Sequence, residues 1–427
     1  MPTDSQWYIG LMSGTSLDGV DGVLADFSGE ALNHSSSQDG FAVLDAVQGA
    51  NHRRSRATSR ICNAATRQNP QMAAARGMVQ RFPSTPCRIA HAASIPFTPE
   101  LKAELLALNS SGNNELHRAA LAGNALARVY ANVVQQLLAQ AALAPQHIRA
   151  IGVHGQTVRH CPGAFDGVGY TLQLGNPALL AECSGITVVA DLRSRDLAAG
   201  GQGAPLVPPF HRYFFARPGT TIGVLNLGGI SNISILHANG GLQGWDCGPG
   251  NVLLDHWCQQ HTGQPFDHEG RWGRTGSVHT ALLQALLTEP FLMRPPPKST
   301  GRDLFHAAWL EKHLHAAGDA KPQDIQATLV EYTARICAQD FAQHAPGSAL
   351  LIVCGGGALN QYLMERLQAQ LPAVRVESSS LHGIAPQQVE AAAFAWLAWQ
   401  CKGGQPANAP EVTGARGARI LGAIYPA

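Results

Sequence analysis

Apolar residues in this chain come in short, nearly continuous runs bounded by glycine-rich turns, and these alternate with stretches of helical period. Residues 7–27, WYIGLMSGTSLDGVDGVLADF, set two apolar runs on either side of a Gly/Ser/Thr/Asp turn, which predicts a β-hairpin. Helical texture begins near residue 98, where Thr98 is the expected cap of PELKAELLAL and Pro99 sits in the first turn. Residues 115–140 predict a long amphipathic helix with Leu116, Ala120, Ala127, Tyr130, Val134 and Leu138 near one core-facing stripe. IRAIGVHG then reads as a strand ending in a polar loop, TLQLG as a short strand, PALLAEC as a short helix and GITVVADL as a further strand. Alternation of this kind predicts an α/β fold.

The pattern restarts near Thr220. IGVLNLGGISNISIL predicts two strands broken by Gly228 and Gly229, LQGWDCGPGN a strand running into a glycine turn, and NVLLDHWCQQH a helix. Helices are expected at 277–289, 303–315 and 323–344, then strand, glycine turn and helix over SALLIVCGGGALNQYLMERLQAQL. PQQVEAAAFAWLAWQ reads as a buried helix. Two hairpin-opened units point to two lobes, with a boundary near 218 and the segment 387–427 packing back on the first lobe. Residues 28–90 interrupt the first unit. They hold eight Arg, no Lys and little periodicity, so they read as an irregular, solvated insertion with one helix near 57–80, peripheral to any site.

Composition narrows the function classes. With 30 Lys plus Arg against 29 Asp plus Glu, and 14% charged residues, no global basic excess argues for nucleic acid. Nine scattered Cys without CxxC spacing support neither a disulfide scaffold nor a thiolate zinc site, and suit a reducing cytosol. No signal-peptide pattern opens the chain, and no apolar run is long enough to predict a membrane span.

The glycine turns carry the candidate chemistry. GTSLDGVD at 14–21 offers successive backbone N–H groups and two hydroxyls, a cradle for phosphate oxygens or simply a tight hairpin turn, and it is neither a Walker A loop nor GxGxxG. CGGGALN at 354–360 allows close approach of a flat or anionic ligand, with Asn360 as a donor, or else serves a crowded strand-to-helix junction. WDCGPGN holds Asp246 at a strand end beside a third glycine turn, placed to act as a base or a metal-side carboxylate. ADLRSRDLAAGGQG adds Asp191, Arg193, Arg195 and Asp196, either substrate-orienting or a local salt-bridge lattice; Asp191, also at a strand end, is a rival base to Asp246, but the arginines after it favour a permanently ionised, structural or phosphate-side role. GVHGQTVRH supplies His154, Gln156, Thr157 and His160, without a convincing third metal ligand.

Taken in order, GLMSGTSLDGVDG, GVHGQTVRH, TLQLGNPALLAE, GGQGAPLVPPFH, NLGGISNIS, WDCGPGNVLLD, PPPKSTGRD, VCGGGALN and VEAAAFAWLAW closely resemble the 1,6-anhydro-N-acetylmuramic acid kinases, a bacterial branch of the sugar-kinase/actin superfamily. The resemblance implies a two-lobed, actin-like ATPase (ribonuclease H-like) fold with a nucleotide cleft between the lobes. It also implies conversion of anhydro-N-acetylmuramic acid, water and ATP, with Mg2+, into N-acetylmuramic acid 6-phosphate and ADP in cytoplasmic cell-wall recycling, and a homodimer. Carried over residue by residue, it makes Gly14, Thr15, Ser16, Leu17, Asp18, Gly19, Val20 and Asp21 the ATP-phosphate loop. Asn226, Gly228, Gly229, Gly355, Gly356, Gly357 and Asn360 fall on the nucleotide side. Asp246 becomes the catalytic base, and Glu390, His154, Gln156, Asp191 and Arg195 face the sugar. The sequence departs from the family pattern in the 28–90 segment, which lengthens the chain beyond typical members, in Leu192 for the usual Phe, and in Gln387 where some members carry Asp. Two rival readings stay open: an ordinary sugar or amino-sugar kinase that needs no water, and a non-catalytic ATP-dependent sensor.

Overall fold

The computed structural model describes residues 6–14, 17–29, 87–301 and 304–427. The helix expected near 57–80 lies outside them, as do Thr15 and Ser16. In the first half the elements are β1 (Trp7–Met12), β2 (Gly19–Asp26), β3 (Arg88–Pro96), α1 (Pro99–Ala107), α2 (Glu115–Ala141), β4 (Ile148–Val153), β5 (Gln156–Pro162), β6 (Gly169–Leu174), α3 (Pro177–Ser184), β7 (Val188–Ala190), α4 (Ser194–Ala198) and α5 (Pro208–Phe215). In the second they are β8 (Ile222–Leu227), β9 (Ile230–Leu236), β10 (Leu242–Pro249), α6 (Val252–Thr262), α7 (Thr280–Leu286), α8 (Ala307–Leu314), α9 (Pro322–His344), β11 (Leu350–Cys354), α10 (Gln361–Gln370), β12 (Arg375–Ser378), α11 (Val389–Lys402), α12 (Pro410–Thr413) and β13 (Ala423–Tyr425). The irregular segment expected to reach residue 90 therefore gives way earlier, because Arg88 already opens β3 against β2.

Two sheets repeat one plan. The first runs β13-β7-β4-β1-β2-β3 and the second β10-β9-β8-β11-β12. In each, a hairpin is extended by an antiparallel third strand on one side, and by two parallel strands on the other. This is the repeated ribonuclease H-like plan of the actin-like fold. A small β5-β6 hairpin stands apart from both sheets.

Both sheets are covered on both faces, which is why their strands read as unbroken apolar runs rather than alternating ones. On β1, Ile9 and Leu11 face a core built with α2, whereas Tyr8 faces a central core shared with α5, α11 and the second sheet. On β8, Ile222 and Val224 enter that same central core, and Leu225 and Leu227 face the opposite one, built around α9. α11 is apolar around its circumference because it is buried all round. It lies so close to the first sheet that a Cβ at Gly10 would stand 1.8 Å from the Ala391 carbonyl oxygen, and one at Gly152 2.0 Å from that of Phe394. Glycine on the strands and alanine on the helix are thus a matched pair of requirements.

Thr98 caps α1 as expected, accepting from the Leu101 N–H at 3.3 Å. The stripe on α2 needs correction. Leu116 is 89% exposed and Ala120 is also exposed, and the buried face starts only at Ala122. The first turn is held by polar contacts instead: Arg118 pairs with Glu104 at 2.7 Å, and Glu115 with Arg159 at 2.6 Å.

Candidate active site

The parallel strands β1, β4 and β7 end together, and the loops leaving them carry Ser13, His154 and Asp191. Open α/β sheets present ligand crevices at such carboxyl ends. Here a cavity of about 350 Å³ is lined by Tyr130, His154, Gly155, Thr171, Gln173, Asn176, Asp191 and Ser194, with Val153, Leu174, Leu180 and Tyr425 among its apolar walls. Its size and its few convergent polar groups suit a small polar ligand. Asp191 holds φ at +54°, an uncommon conformation for a residue other than glycine. Such backbone strain concentrates at functional positions.

Behind the cavity lies a hydrogen-bonded chain. The Arg193 guanidinium donates to His154 Nε2 through Nη2 at 2.8 Å and Nε at 3.2 Å, and through Nη1 to the Gly203 carbonyl at 2.7 Å. With Nε2 accepting, His154 Nδ1 donates to the Ser13 carbonyl at 3.2 Å. The Ser13 hydroxyl lies 2.7 Å from the Tyr130 hydroxyl and donates to the Gly155 carbonyl at 3.0 Å. Burial, helped by the Arg193 charge, pushes His154 down to about 3, so the ring is neutral. Burial also lowers Arg193 to about 10, with Glu390 and Asp196 pulling the other way. Gln156, buried next to this chain, donates to the Gly14 carbonyl at 3.3 Å, while its Oε1 has no partner among the described residues.

The turn after β1 is only partly free to bind. Leu17, at φ +57°, donates its N–H to the Gly14 carbonyl at 3.2 Å, and Asp18 pairs with Lys102 at 2.9 Å. Gly19, Val20 and Asp21 already belong to β2, opposite Pro96, Ile95 and Ser94, and the Val20 side chain is in the core. Desolvation raises the Asp21 carboxyl, opposed by a hydrogen bond from Ser94.

On the second sheet the glycine turns pack on one another at the ends of β8, β10 and β11. Gly228 and Gly229 accept from Asn251 and Gly250 N–H groups at 2.8 and 3.0 Å, and Asn251 Nδ2 donates to the Leu227 carbonyl at 3.0 Å. Gly355 has φ +80°, and a Cβ there would stand 2.4 Å from Asn226 Oδ1. Gly356 and Gly357 follow in a 3-10 turn, and Asn360 caps α10 by accepting from Leu363 N–H at 3.0 Å. Asn226 Nδ2 reaches Glu390 Oε1 at 3.4 Å, which ties β8 to the start of α11. Burial raises Glu390, with Arg193 opposing and the Asp21 charge adding to the rise.

Asp246 sits elsewhere, on β10. Its Oδ2 accepts from the Thr300 N–H at 3.0 Å, and its N–H donates to the Lys298 carbonyl at 3.0 Å. Burial pushes it up to about 6, against the pull of that hydrogen bond and of Lys298. Lys298 is itself paired with Asp340 at 3.3 Å.

The structure thus brings His154 and Asp191 into one cavity, and Asn226 and Glu390 into contact. It gathers the glycine turns of the second sheet and keeps Asp246 off the cavity wall. Arg195 is exposed on α4. Sequence reasoning missed Ser13, Tyr130, Thr171, Gln173, Asn176 and Ser194 as cavity or network residues. Ser13 stands inside the GLMSGTS run, and Asn176 is marked as a cap by the following Pro177. Tyr130 carried only a core signal, and its buried hydroxyl requires a partner.

Similarity to known proteins bears on this geometry. A sequence model described as anhydro-N-acetylmuramic acid kinase matches residues 75–427. The chain belongs to that family. An anhydro-N-acetylmuramic acid kinase of Variovorax paradoxus is 53% identical, covering 98% of this chain and 99% of its own. One from Albidiferax ferrireducens is 50% identical over 99% and 100%, and one from Ralstonia nicotianae 47% over 99% and 98%. These relatives match the chain end to end, so the 28–90 segment does not lengthen it beyond them. Among solved structures, an activator of 2-hydroxyisocaproyl-CoA dehydratase from Clostridium difficile with bound ADPNP aligns at 12% identity over 92% of this chain and 95% of its own, with a TM-score of 0.44.

Proposed function

We propose that the protein is an ATP-dependent kinase. It converts 1,6-anhydro-N-acetylmuramic acid and water to N-acetylmuramic acid 6-phosphate, opening the anhydro ring hydrolytically, in the recycling of cell-wall amino sugars. The observation that carries this reading is membership of a kinase family, whose relatives match the chain end to end, joined to a polar, sugar-sized cavity at the strand ends of the first sheet. The lobe boundary near 218 would put that cavity on one side of a cleft and the glycine turns of the second sheet on the other. A cytoplasmic homodimer is part of the proposal. Among the described residues no helix is long and apolar enough to cross a membrane.

Gly355 and Gly357 are glycine because a Cβ there would strike Asn226, Leu227 and Asn251, whereas Gly356 between them is open, with only Asn251 Nδ2 at 3.8 Å from a Cβ; that exposed backbone is what a nucleotide could approach. For Mg2+ the oxygen donors at hand are the Asp21 and Glu390 carboxylates, each of which is raised by desolvation. Among the described residues no group of three or more metal-ligating side chains converges, which suits an ion held largely by water and phosphate oxygens. Bound there, the ion would offset negative charge on the phosphates.

The sequence pointed to Asp246 as the base. The cavity supports Asp191 in that role instead, because Asp191 lines it and Asp246 does not. In the proposed step the base takes a proton from a water at the anomeric carbon as oxocarbenium-like charge develops. The C1–O6 bond breaks, and the departing O6 attacks the γ-phosphorus in line, releasing ADP. The phosphorus captures the alkoxide, so no separate acid is required. His154, with both ring nitrogens engaged by Arg193 and Ser13, would offer the sugar only the wall of a neutral ring, and Glu390 would accept hydrogen bonds from its hydroxyl or amide N–H groups.

The test is mass spectrometry of the products made from anhydro-sugar and ATP in 18O water. One 18O at the anomeric carbon for each ADP and each 6-phosphate is the expected outcome. A phosphorylated sugar with an intact anhydro bridge and no 18O would identify the ordinary sugar kinase, and absence of phosphoryl transfer the sensor.

A further inference from the structure

The chain running from Arg193 through His154 to Ser13 joins two regions that the proposed reaction must align. His154 lines the cavity, and Ser13 opens the turn that carries Gly14. The Arg193 side chain is half-buried, yet among the described residues no carboxylate lies within ion-pairing distance of it. Its N–H groups are spent on a neutral ring and a backbone carbonyl. A partly desolvated cation that makes no ion pair is costly unless the site uses its charge or its geometry.

We propose that Arg193 is a positioning residue: its forked guanidinium fixes the His154 ring so that Nδ1 holds the Ser13 carbonyl, locking the turn after β1 in register with the cavity. The inference rests on the kinase reading above. A guanidinium does this where an ammonium does not, because two N–H groups in a rigid fork converge on one ring nitrogen while a third reaches Gly203. With Nε2 bound as an acceptor, the ring has a single tautomer, and that tautomer places its N–H on Ser13. Ser13 passes the constraint on to Tyr130 on α2 and to Gly155 after β4, both cavity residues. The other charged or titratable groups around the pair are Glu390 on α11, Asp196 on α4 and His160 on β5. None of them is within hydrogen-bond distance of the His154 ring, so its tautomer is set by the Arg193 fork at Nε2 together with the Ser13 carbonyl at Nδ1.

The experiment is a double-mutant cycle on the full chain: Arg193→Lys, Arg193→Met, His154→Gln and Arg193→Met/His154→Gln. Thermal unfolding serves as the folding control, and kcat and KM are measured separately for sugar and ATP. Misplacing reacting groups by about 1 Å costs on the order of 10²-fold. We expect Arg193→Met to lose about that factor in kcat with KM for ATP little changed, and Arg193→Lys, which keeps the charge but not the fork, to lose nearly as much. The double variant should be no worse than the poorer single one, because both substitutions cut the same chain. Multiplying losses in the double variant would overturn the proposal. So would a folded Arg193→Lys enzyme with wild-type kcat, and that arm decides the matter even if the Met variant does not fold. Failure of the wild-type protein to phosphorylate the sugar would instead remove the kinase reading itself.

Discussion

The crevice on the first sheet and the turns on the second lie at equivalent strand ends but are made of different materials. The first is built from side chains. A neutral imidazole, a half-buried guanidinium, hydroxyls and a strained aspartate are held by hydrogen bonds that reach across β1, β4, β7 and α2. The second is built from backbone, with glycine carbonyls and N–H groups packed where no Cβ fits. One recognises by chemical identity, as a site must that distinguishes hydroxyl, amide and carboxylate. The other recognises by shape and by the backbone partial charges that phosphates share. Substitutions on the first sheet should therefore change turnover and sugar response, and those on the second the nucleotide response.

The largest effect should come from the base. Asp191→Asn keeps size and hydrogen bonding but removes proton abstraction, and it should cut kcat by at least ~10²-fold while nucleotide binding survives. Asp246→Asn should cost less. Steady-state kinetics of the two variants in parallel, with products followed in 18O water, check this. The opposite ranking would return the base to β10.

That pair also shows where sequence legibility ends. The two opening hairpins, the restart near 220 and nine of the thirteen strands could be read, because glycine turns and unbroken apolar runs are local signals; β3, β5, β12 and β13, which are short or lack an unbroken apolar run, could not. The plan of two equivalent sheets follows from them. Which aspartate faces the cavity is not local. Asp191 and Asp246 both read as aspartates at the end of an apolar run, and only the structure, which puts Asp246 inside β10 and Asp191 just past β7 beside β4 with a left-handed backbone, turns one toward the crevice. Leu116 failed for a related reason. Helical period gives a face, but it does not say how far the sheet beneath extends. Arg193 was visible in the sequence as one charge among several in LRSRD, and its bond to His154 spans 39 positions.

On the second sheet, Gly355→Ala should strain a backbone at φ +80° and drive a methyl against Asn226. Strain of this kind costs about 1–3 kcal/mol, or roughly 10-fold in KM for ATP, with KM for sugar nearly unchanged. Titrating each substrate separately reads the split, and a shift in the sugar value alone would erase the contrast between the two regions. Glu390→Gln tests the point where the regions meet. Replacing a charged acceptor by a neutral one should weaken sugar turnover several-fold, on the order of 1 kcal/mol, and leave ATP binding intact. Lost ATP binding with an unchanged sugar response would move this residue to the nucleotide side.

The smallest effect concerns stability against pH. Burial holds His154 and His211 down to about 3 and His160 to about 4, below the ordinary 6.5. Between the folded and unfolded values, the unfolded chain binds protons that the folded chain refuses. The stability from these rings is therefore complete above about pH 6.5 and is lost progressively as pH falls. Asp246 has the opposite sign. Raised from 3.8 to about 6, it gives stability that is present below its unfolded value and lost as pH rises through 6. Asp21 and Glu390, also raised by burial, share the sign of Asp246, and His261 and His382, also lowered by burial, share that of the rings; the lowered rings outnumber the raised carboxyls, so unfolding temperature should drop between pH 7.5 and 5. His211 isolates the effect, because it is buried against Ser234 at 2.8 Å and its Nε2 has no partner among the described residues. His211→Asn removes one such proton. The variant should be less stable at neutral pH, yet its stability should fall less steeply on acidification, by about 2 kcal/mol over the 1.5 units below 6.5. Denaturant midpoints at pH 5 and 7.5 for both proteins measure the two slopes. Parallel slopes would mean that His211 takes up its proton in the folded state, which would place a water or an anion at the unpartnered nitrogen.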